Sequence, residues 1–462
     1  MRHRSLFSLL AFWLSSTIVA IAATAAKPNI VFILADDLGW ADVAFHGGNA
    51  PTPHLDKLVR GGLELTQHYS AATCSPTRAG LMTGRYWSRF GLLGPDNRRA
   101  LAWDTVTLPR ALKSVGYETA LTGKWHLGSR SSEGPNHFGF DYSYGSLAGG
   151  VGPYDHLYKE GEFSRTWHRN ETLITETGHV TDIITNEAVS WIAARKDAPF
   201  FLYVPFTAVH LPLKEPKEWL DRVPQTITDE VARHYAASVM HLDDSVGKIV
   251  EALEKAGKRE KTILIFTSDN GGSKVPNHDQ TYPAGDYPQG KLPGNNDPLR
   301  GQKGDLYEGG IRVPAVISWP GTVQPGKHSS PMQIIDWMPT FCAIAGYKPE
   351  RDLKWDGINV WPRLTAKSVI AESRVLYWAT PRATAVRDGD FKLIVPSARP
   401  AGAAKVELFD LSKDPNEKSD LAAKMPERVT ELKRKLAAIA KADGDATVKA
   451  EPAQAKAERV NR

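Results

Sequence analysis

Two stretches far apart in the chain constrain the fold more than any other feature. "PNIVFILADDLGW", Pro28 to Trp40, is unbroken and apolar from Ile30 to Leu34 and runs into Asp36-Asp37. "KTILIFTSDNGG", Lys261 to Gly272, repeats the pattern and runs into Asp269-Asn270. A run without polar alternation describes a strand covered on both faces, the condition of strands inside a parallel sheet. "APFFLYVPFTAVHLPL", ending near His210, is a third such run, and "YETALTGKWHLG", ending near Lys124 and His126, is a weaker fourth. Between them lie helical patterns: "TPHLDKLVRGG", "TLPRALKSVG", "VTDIITNEAVSWIAAR" and a longer one from Asp229 to Ala256. This alternation predicts an α/β sandwich around a mostly parallel sheet. Ligands of such sheets gather beyond the carboxyl ends of the strands, where the polar residues just named stand.

The two ends of the chain differ from this body. Residues 1–26 read as a signal peptide: Arg2 and Arg4, an apolar stretch "LFSLLAFWLSSTIVAIAA", then a small-x-small site at Ala23-Thr24-Ala25. The protein is therefore expected to be exported, to the periplasm or outside, with no membrane attachment after cleavage. No second apolar run reaches the roughly 20 residues of a membrane span. Residues 27–370 form the expected main domain. "RVLYWAT", "ATAVRDGDFKLIV" and "KVELFDL" read as short antiparallel strands with a turn at Asp388-Gly389, followed by a helix from Pro426 to Lys441. Residues 371–442 are thus a small α+β subdomain, and 443–462 a disordered tail.

Composition narrows the partners. A formal charge of +5 over 462 residues carries no nucleic-acid footprint, and "KRKLAAIAK" reads as a solvated helix face. Export makes a disulfide between the two cysteines, Cys74 and Cys342, conceivable. Cys342 lies in the apolar helical stretch "DWMPTFCAIAG", which instead suggests a buried, inert thiol.

The strand-end acids suggest a metal. Asp36, Asp37, Asp269 and Asn270 offer only oxygen donors, which favours a hard ion, Ca²⁺ or else Mg²⁺, over zinc. Each pair alone could simply cap a turn. Cations accumulate at the same end: Arg78, one helical turn after Cys74, then Lys124, His126, His210 and Lys303. A helix beginning near Ser75-Pro76 adds free N–H groups that favour an anion. Together these describe a pocket for an anionic group beside a metal.

Cys74-Ser75-Pro76-Thr77-Arg78 resembles the C-x-P-x-R signature of type I sulfatases, and "AGLMTGRY" resembles its continuation. "GKWHLG", "VHLPL", "FTSDNGG" and "LRGQKGDLYEGGIRVP" resemble that family's later blocks, in order, so the likeness spans Pro28 to Leu411. It implies an alkaline-phosphatase-like fold: a large, mostly parallel mixed sheet flanked by helices, with a small C-terminal antiparallel sheet. It also implies that a maturation enzyme oxidises Cys74 to Cα-formylglycine (3-oxoalanine), whose hydrate is a geminal diol. One hydroxyl attacks sulfur and takes the sulfate. Deprotonation of the other re-forms the carbonyl and expels sulfate by C–O cleavage, a covalent mechanism with its own release step. A thiolate would instead be left sulfated.

By the same resemblance, Asp36, Asp37, Asp269, Asn270 and an oxygen of modified Cys74 bind Ca²⁺, which polarises nucleophile and sulfate. Arg78 steadies the diol, and Lys124 and Lys303 hold sulfate oxygens. His126 takes the proton that drives release, and His210, with Lys303 nearby, protonates the leaving oxygen. "GNNDPLRGQKGDLYEGG", "FLYVPFTAVHLPL" and "WDGINVWPRL" look most like the arylsulfatase B, N-acetylgalactosamine-4-sulfatase branch, which implies a 4-sulfated galactose-type sugar. The segments 138–167 and 275–297 are candidate sugar walls, and His156, His168 and His278 are further candidates for sugar contact. Asn170-Glu171-Thr172 fits a glycosylation sequon. The rival readings are a phosphomonoester or phosphodiester hydrolase of the same superfamily and an inactive glycan-binding relative. The first lacks its usual Ser or Thr nucleophile, and the second should have lost Cys74, Arg78 or Lys303.

Overall fold

The computed structural model describes residues 27–159, 161–278, 282, 287–366, 374–397 and 405–448. The expected signal peptide and the boundary at 370/371 lie outside these residues.

The runs that lead into acids form the middle of a 10-stranded mixed sheet. Asn29–Ala35 and Thr262–Ser268 are buried along their whole length, as their lack of alternation requires. They pair in parallel, from Asn29 opposite Thr262 to Ala35 opposite Ser268. On the other side Asn29–Ala35 pairs in parallel with Phe200–Pro205, which in turn pairs with Glu118–Thr122. Tyr142–Ser146 completes the parallel centre. Antiparallel strands flank it: Ala315–Ser318 on one side and Trp167–Arg169 on the other.

Helices cover both faces. The longest, Glu230–Lys255, is capped by Asp229, whose carboxylate accepts from the Ala232 amide at 2.8 Å. Two apolar clusters result, one on each side of the sheet, with alternate residues of the central strand divided between them: Ile30, Phe32 and Leu34 against Val31, Ile33 and Ala35. No helix among the described residues is long and apolar enough to cross a membrane.

The C-terminal strands Val375–Ala379, Ala383–Asp388, Phe391–Pro396 and Glu407–Asp410 form an antiparallel sheet. One face joins the main core through Leu376, Trp378 and Phe409; the other packs through Val386, Leu393 and Leu408 on Leu432 of helix Pro426–Ala440. Two expectations are corrected here. Asp388 pairs with Phe391, so the tight turn is Gly389-Asp390, and Gly389 supplies its positive φ of 59°. Asp388 stays in the strand because Arg428 and Lys435 hold its carboxylate at 3.0 and 2.6 Å. Residues 443–448, expected to belong to the tail, are also packed on the body; 449–462 lie outside the described residues. Asp443 accepts from Ser88, Arg89 and Tyr377, and the Ala446 amide donates to the Arg89 carbonyl. These polar anchors are far away in sequence, so composition alone cannot reveal them.

Candidate active site

The parallel register brings the two acidic strand ends together. Ala35 and Ser268 are partners, so Asp36-Asp37 and Asp269-Asn270 emerge side by side. The Asp37 amide donates to Asp269 Oδ1 at 3.2 Å, and Asn270 Nδ2 donates to Asp37 Oδ1 at 2.8 Å. The neighbouring strand delivers the next residues. The Lys124 amide donates to the Pro205 carbonyl, and the loop after Pro205 folds back through Asp36 N–H to Ala208 O and Val209 N–H to Asp36 O. His210 ends that loop.

Helix Cys74–Thr83 meets this edge with its first residue. All ten residues of the helix are buried, and it stops at Gly84, left-handed at φ 68°. Arg78, one turn in, places Nη2 at 2.8 Å from Asp269 Oδ2 and 3.4 Å from Asp36 Oδ2. Its Nη1 donates to the Lys124 carbonyl at 2.9 Å. Lys124 Nζ lies 2.5 Å from Asp36 Oδ2, and Lys303 Nζ lies 2.7 Å from Asp37 Oδ2. Each residue expected at the site therefore stands in one cluster, and Lys124, which in isolation would read as a surface lysine, is wholly buried. Both cysteines are free and buried, so the thiol of Cys74 is not consumed by a disulfide.

The electrostatics divide the roles. Burial pushes the Cys74 thiol up, only partly opposed by Lys124 and Lys303, so a thiolate nucleophile is disfavoured. Burial, then the charges of Lys124 and Arg78, drive His126 well down and keep its imidazole neutral. His210 is held down to about 3 by burial and by Lys303. Its Nδ1 donates to the Leu211 carbonyl at 2.6 Å, which leaves Nε2, 3.9 Å from Asp37 Oδ2, as the atom facing the acids. Burial raises Asp37, but Lys303, His210 and Asn270 outweigh it and bring it to about 2. Burial and the adjacent Asp36 push Asp269 up to about 6 despite Arg78.

The donor set fits a hard divalent cation. Asp36 Oδ1 and Asn270 Oδ1 are fully buried yet make no hydrogen bond among the described residues. Unpaired buried oxygens on two adjacent strand ends, beside a carboxylate lifted by its neighbour's charge, are what a cation would satisfy. Asp36, Asp37 and Asp269 formally cancel Arg78, Lys124 and Lys303, so a divalent ion would leave the pocket positive and open to an anion.

Several residues here had no local signal. Thr77 Oγ1 accepts from the Ala71 amide and donates to the Asp269 carbonyl at 2.6 Å, tying the helix to the acidic strand. Asn97 Oδ1 accepts from Ser129 and from the Gly149 amide. Gly149 must be glycine, because a Cβ there would lie 2.4 Å from His126 Nε2. Of the candidate sugar walls, 138–167 contributes Gly149 and Gly150. Tyr282, within 275–297, has its hydroxyl 2.6 Å from where a Gly150 Cβ would stand, and that Cβ position lies 3.5 Å from the His210 ring. His168 is set apart: buried, it bonds the Gly145 carbonyl and Ser143 within the sheet. His156 bonds the Gly178 carbonyl and rests 4.7 Å from the Trp167 ring, and His278 stands beside Tyr287.

A family model described as Sulfatase matches residues 28–347, the span that builds this cluster. The chain belongs to the sulfatase family. It is a sulfuric ester hydrolase by that membership, and the family model for the C-terminal part of N-sulphoglucosamine sulphohydrolase matches residues 302–442. Arylsulfatase J of Mus musculus is 33% identical over 382 residues, covering 80% of this chain and 61% of that protein. N-acetylgalactosamine-6-O-sulfatase of Bacteroides thetaiotaomicron is 30% identical over 492 residues, 89% of this chain and 93% of that one. Among solved structures, Ps i-CgsB superposes with a TM-score of 0.80 at 31% identity, covering 94% of this chain and 98% of that one. The same protein has been solved in complex with k-i-k-neocarrahexaose. A phosphonate monoester hydrolase of Agrobacterium radiobacter shares the fold, with a TM-score of 0.63 at 19% identity. The fold by itself therefore does not choose between sulfur and phosphorus.

Proposed function

We propose that this sulfatase removes sulfate from a galactose or N-acetylgalactosamine unit of a sulfated polysaccharide or its fragments, after export and after oxidation of Cys74 to formylglycine. The observation that carries the reading is the position of Cys74 at the start of a buried helix, beside Asp36, Asp269, Lys124 and Lys303. Formylglycine supplies a geminal diol, which gives an oxygen nucleophile where the raised thiol is a poor one. Asp36, Asp37, Asp269 and Asn270 would hold Ca²⁺ (Mg²⁺ by the same chemistry), which supplies Lewis acidity toward the sulfate.

The rest of the reaction falls to side chains in hand. Lys124 and Lys303 lie within reach of oxygens bound beside Asp36 and Asp37, and offset charge that builds in the transition state. Arg78, locked by three partners, orients the acids and the start of the helix. His126, neutral, accepts the proton that frees sulfate. His210 presents Nε2 toward the leaving oxygen. Burial, then Lys303 and Lys124, oppose its protonation, so it gains its proton as the negative sulfate enters and offsets those cations. Tyr282 and Gly150 border the leaving-group side, where a sugar would lie.

The position of the sulfate has two readings. Resemblance of the sequence blocks to the arylsulfatase B branch favours a 4-sulfate. The name of the Bacteroides thetaiotaomicron relative, N-acetylgalactosamine-6-O-sulfatase, favours a 6-sulfate. Product analysis on matched 4-sulfated and 6-sulfated galactosaminides separates them. The mass of the peptide carrying position 74 tests the mechanism. An unmodified cysteine in fully active enzyme, or wild-type turnover of an aryl sulfate by Cys74→Ala, would sink it.

A further inference from the structure

A second group of buried metal-type donors stands apart from the acidic strand ends. His179 caps helix Val180–Ala193, Glu215 lies on the segment that continues from His210, and Ser238 and His241 are one turn apart on helix Glu230–Lys255. The side chains of His179, Glu215 and His241 are 4%, 2% and 0% exposed. His241 Nδ1 is 2.9 Å from Glu215 Oε2, and His179 Nε2 is 3.7 Å from the same oxygen. One donor atom from each of the three lies within 4.8 Å of the other two. His179 Nε2 makes no hydrogen bond among the described residues. A cavity of about 10 Å³, the room of one ion or one water, is lined by His179, Glu215, Ser238 and His210.

We propose that His179, Glu215 and His241 form a binding site for a divalent transition metal of the zinc type, with Asp182 orienting His241. Two imidazoles and one carboxylate are a borderline-soft set that suits zinc and not calcium, so the site is chemically distinct from the oxygen-only cluster. At zinc–ligand distances of roughly 2.1 Å, tetrahedral donors sit on the order of 3.4 Å apart, and the two measured separations bracket that value. Asp182 Oδ1 lies 3.1 Å from His241 Nε2, the carboxylate–histidine arrangement that backs a ligand nitrogen.

Charge points the same way. Without a metal, His241 must hold a proton on each nitrogen to bridge Glu215 and Asp182, and the group carries one net negative charge. A divalent ion in place of the His241 Nδ1 proton makes the group neutral, and a buried uncompensated charge is costly. Coordination through His179 Nε2 moves that ring's proton to Nδ1 and gives up a 3.3 Å bond from the Thr181 amide, a weak contact. The Ser238 hydroxyl or a water would complete the shell. A metal here would pin the segment that carries His210 between two helices.

The test uses the full, calcium-loaded protein, stripped of transition metals and dialysed against micromolar zinc. One zinc per chain by elemental analysis is the expected result, and a cobalt-loaded sample should show the visible absorption of a tetrahedral site. His179→Phe should abolish uptake. Asp182→Asn, at a half-exposed position and so compatible with folding, should weaken zinc binding roughly 10–100-fold. Folded wild-type protein that takes up no zinc, or variants that bind it as tightly as wild type, would overturn the proposal.

Discussion

Arg78 Nη2 stands 2.8 Å from Asp269 Oδ2, with neither side chain exposed. The same guanidinium reaches Asp36 and the Lys124 carbonyl, so one planar fork holds two acidic strand ends and a third loop.

Arg78→Met should therefore destabilise the protein by about 3–5 kcal/mol, because it strands the buried Asp269 carboxylate and leaves Asp36 with Lys124 alone. Arg78→Lys should recover little, since a point charge cannot meet all three acceptors. Denaturant midpoints of the three proteins test this; a lysine variant as stable as wild type contradicts it.

Calcium should stabilise the fold through the unpaired oxygens of Asp36 and Asn270. Saturation at 100 times Kd corresponds to about 2.7 kcal/mol, and chelation should reverse the gain. Asn270→Leu removes one of those oxygens at similar size. Its melting temperature should respond much less to calcium than that of wild type.

Lys392 Nζ lies 2.9 Å from both Glu308 and Glu417, and all three side chains are buried. This joins the C-terminal sheet to the loop carrying Lys303, because the Glu308 amide also donates to Glu417 at 2.6 Å. Lys392→Met should cost about 3–5 kcal/mol by leaving Glu417 without a cation and Glu308 with only Arg312, 3.7 Å away. It should also lower turnover by loosening Lys303. Unchanged kcat in a folded variant would separate the subdomain from catalysis.

His68 should make the protein acid-sensitive. Burial holds its pKa down to about 3, and its Nε2 accepts from the Trp337 indole at 3.0 Å. An unfolded histidine titrates near ~6.5. Above that pH both states are neutral and the contribution is complete. As pH falls from about 6.5 toward 3, the unfolded state takes up a proton that the folded state refuses. Stability then drops by up to about 1.4 kcal/mol per pH unit from this group. His68→Gln keeps an acceptor for Trp337 and should flatten the slope between pH 7 and 5; parallel slopes would contradict it.

The primary structure alone determined the strands and the chemistry waiting at their ends. Runs such as Ile30–Leu34 and Thr262–Phe266 are local, and an unbroken apolar stretch has few other stable fates than a doubly covered strand. The signature around Cys74 and the acids after each run were legible for the same reason. Tertiary structure decided what no local pattern records. The register that sets Ala35 against Ser268, the Asn97 contact behind Gly149, the anchoring of Asp443 and the grouping of His179 with Glu215 and His241 all join segments dozens to hundreds of residues apart. Such pairings form only when the whole core closes, because each isolated polar group gains nothing until its distant partner and the exclusion of water arrive together.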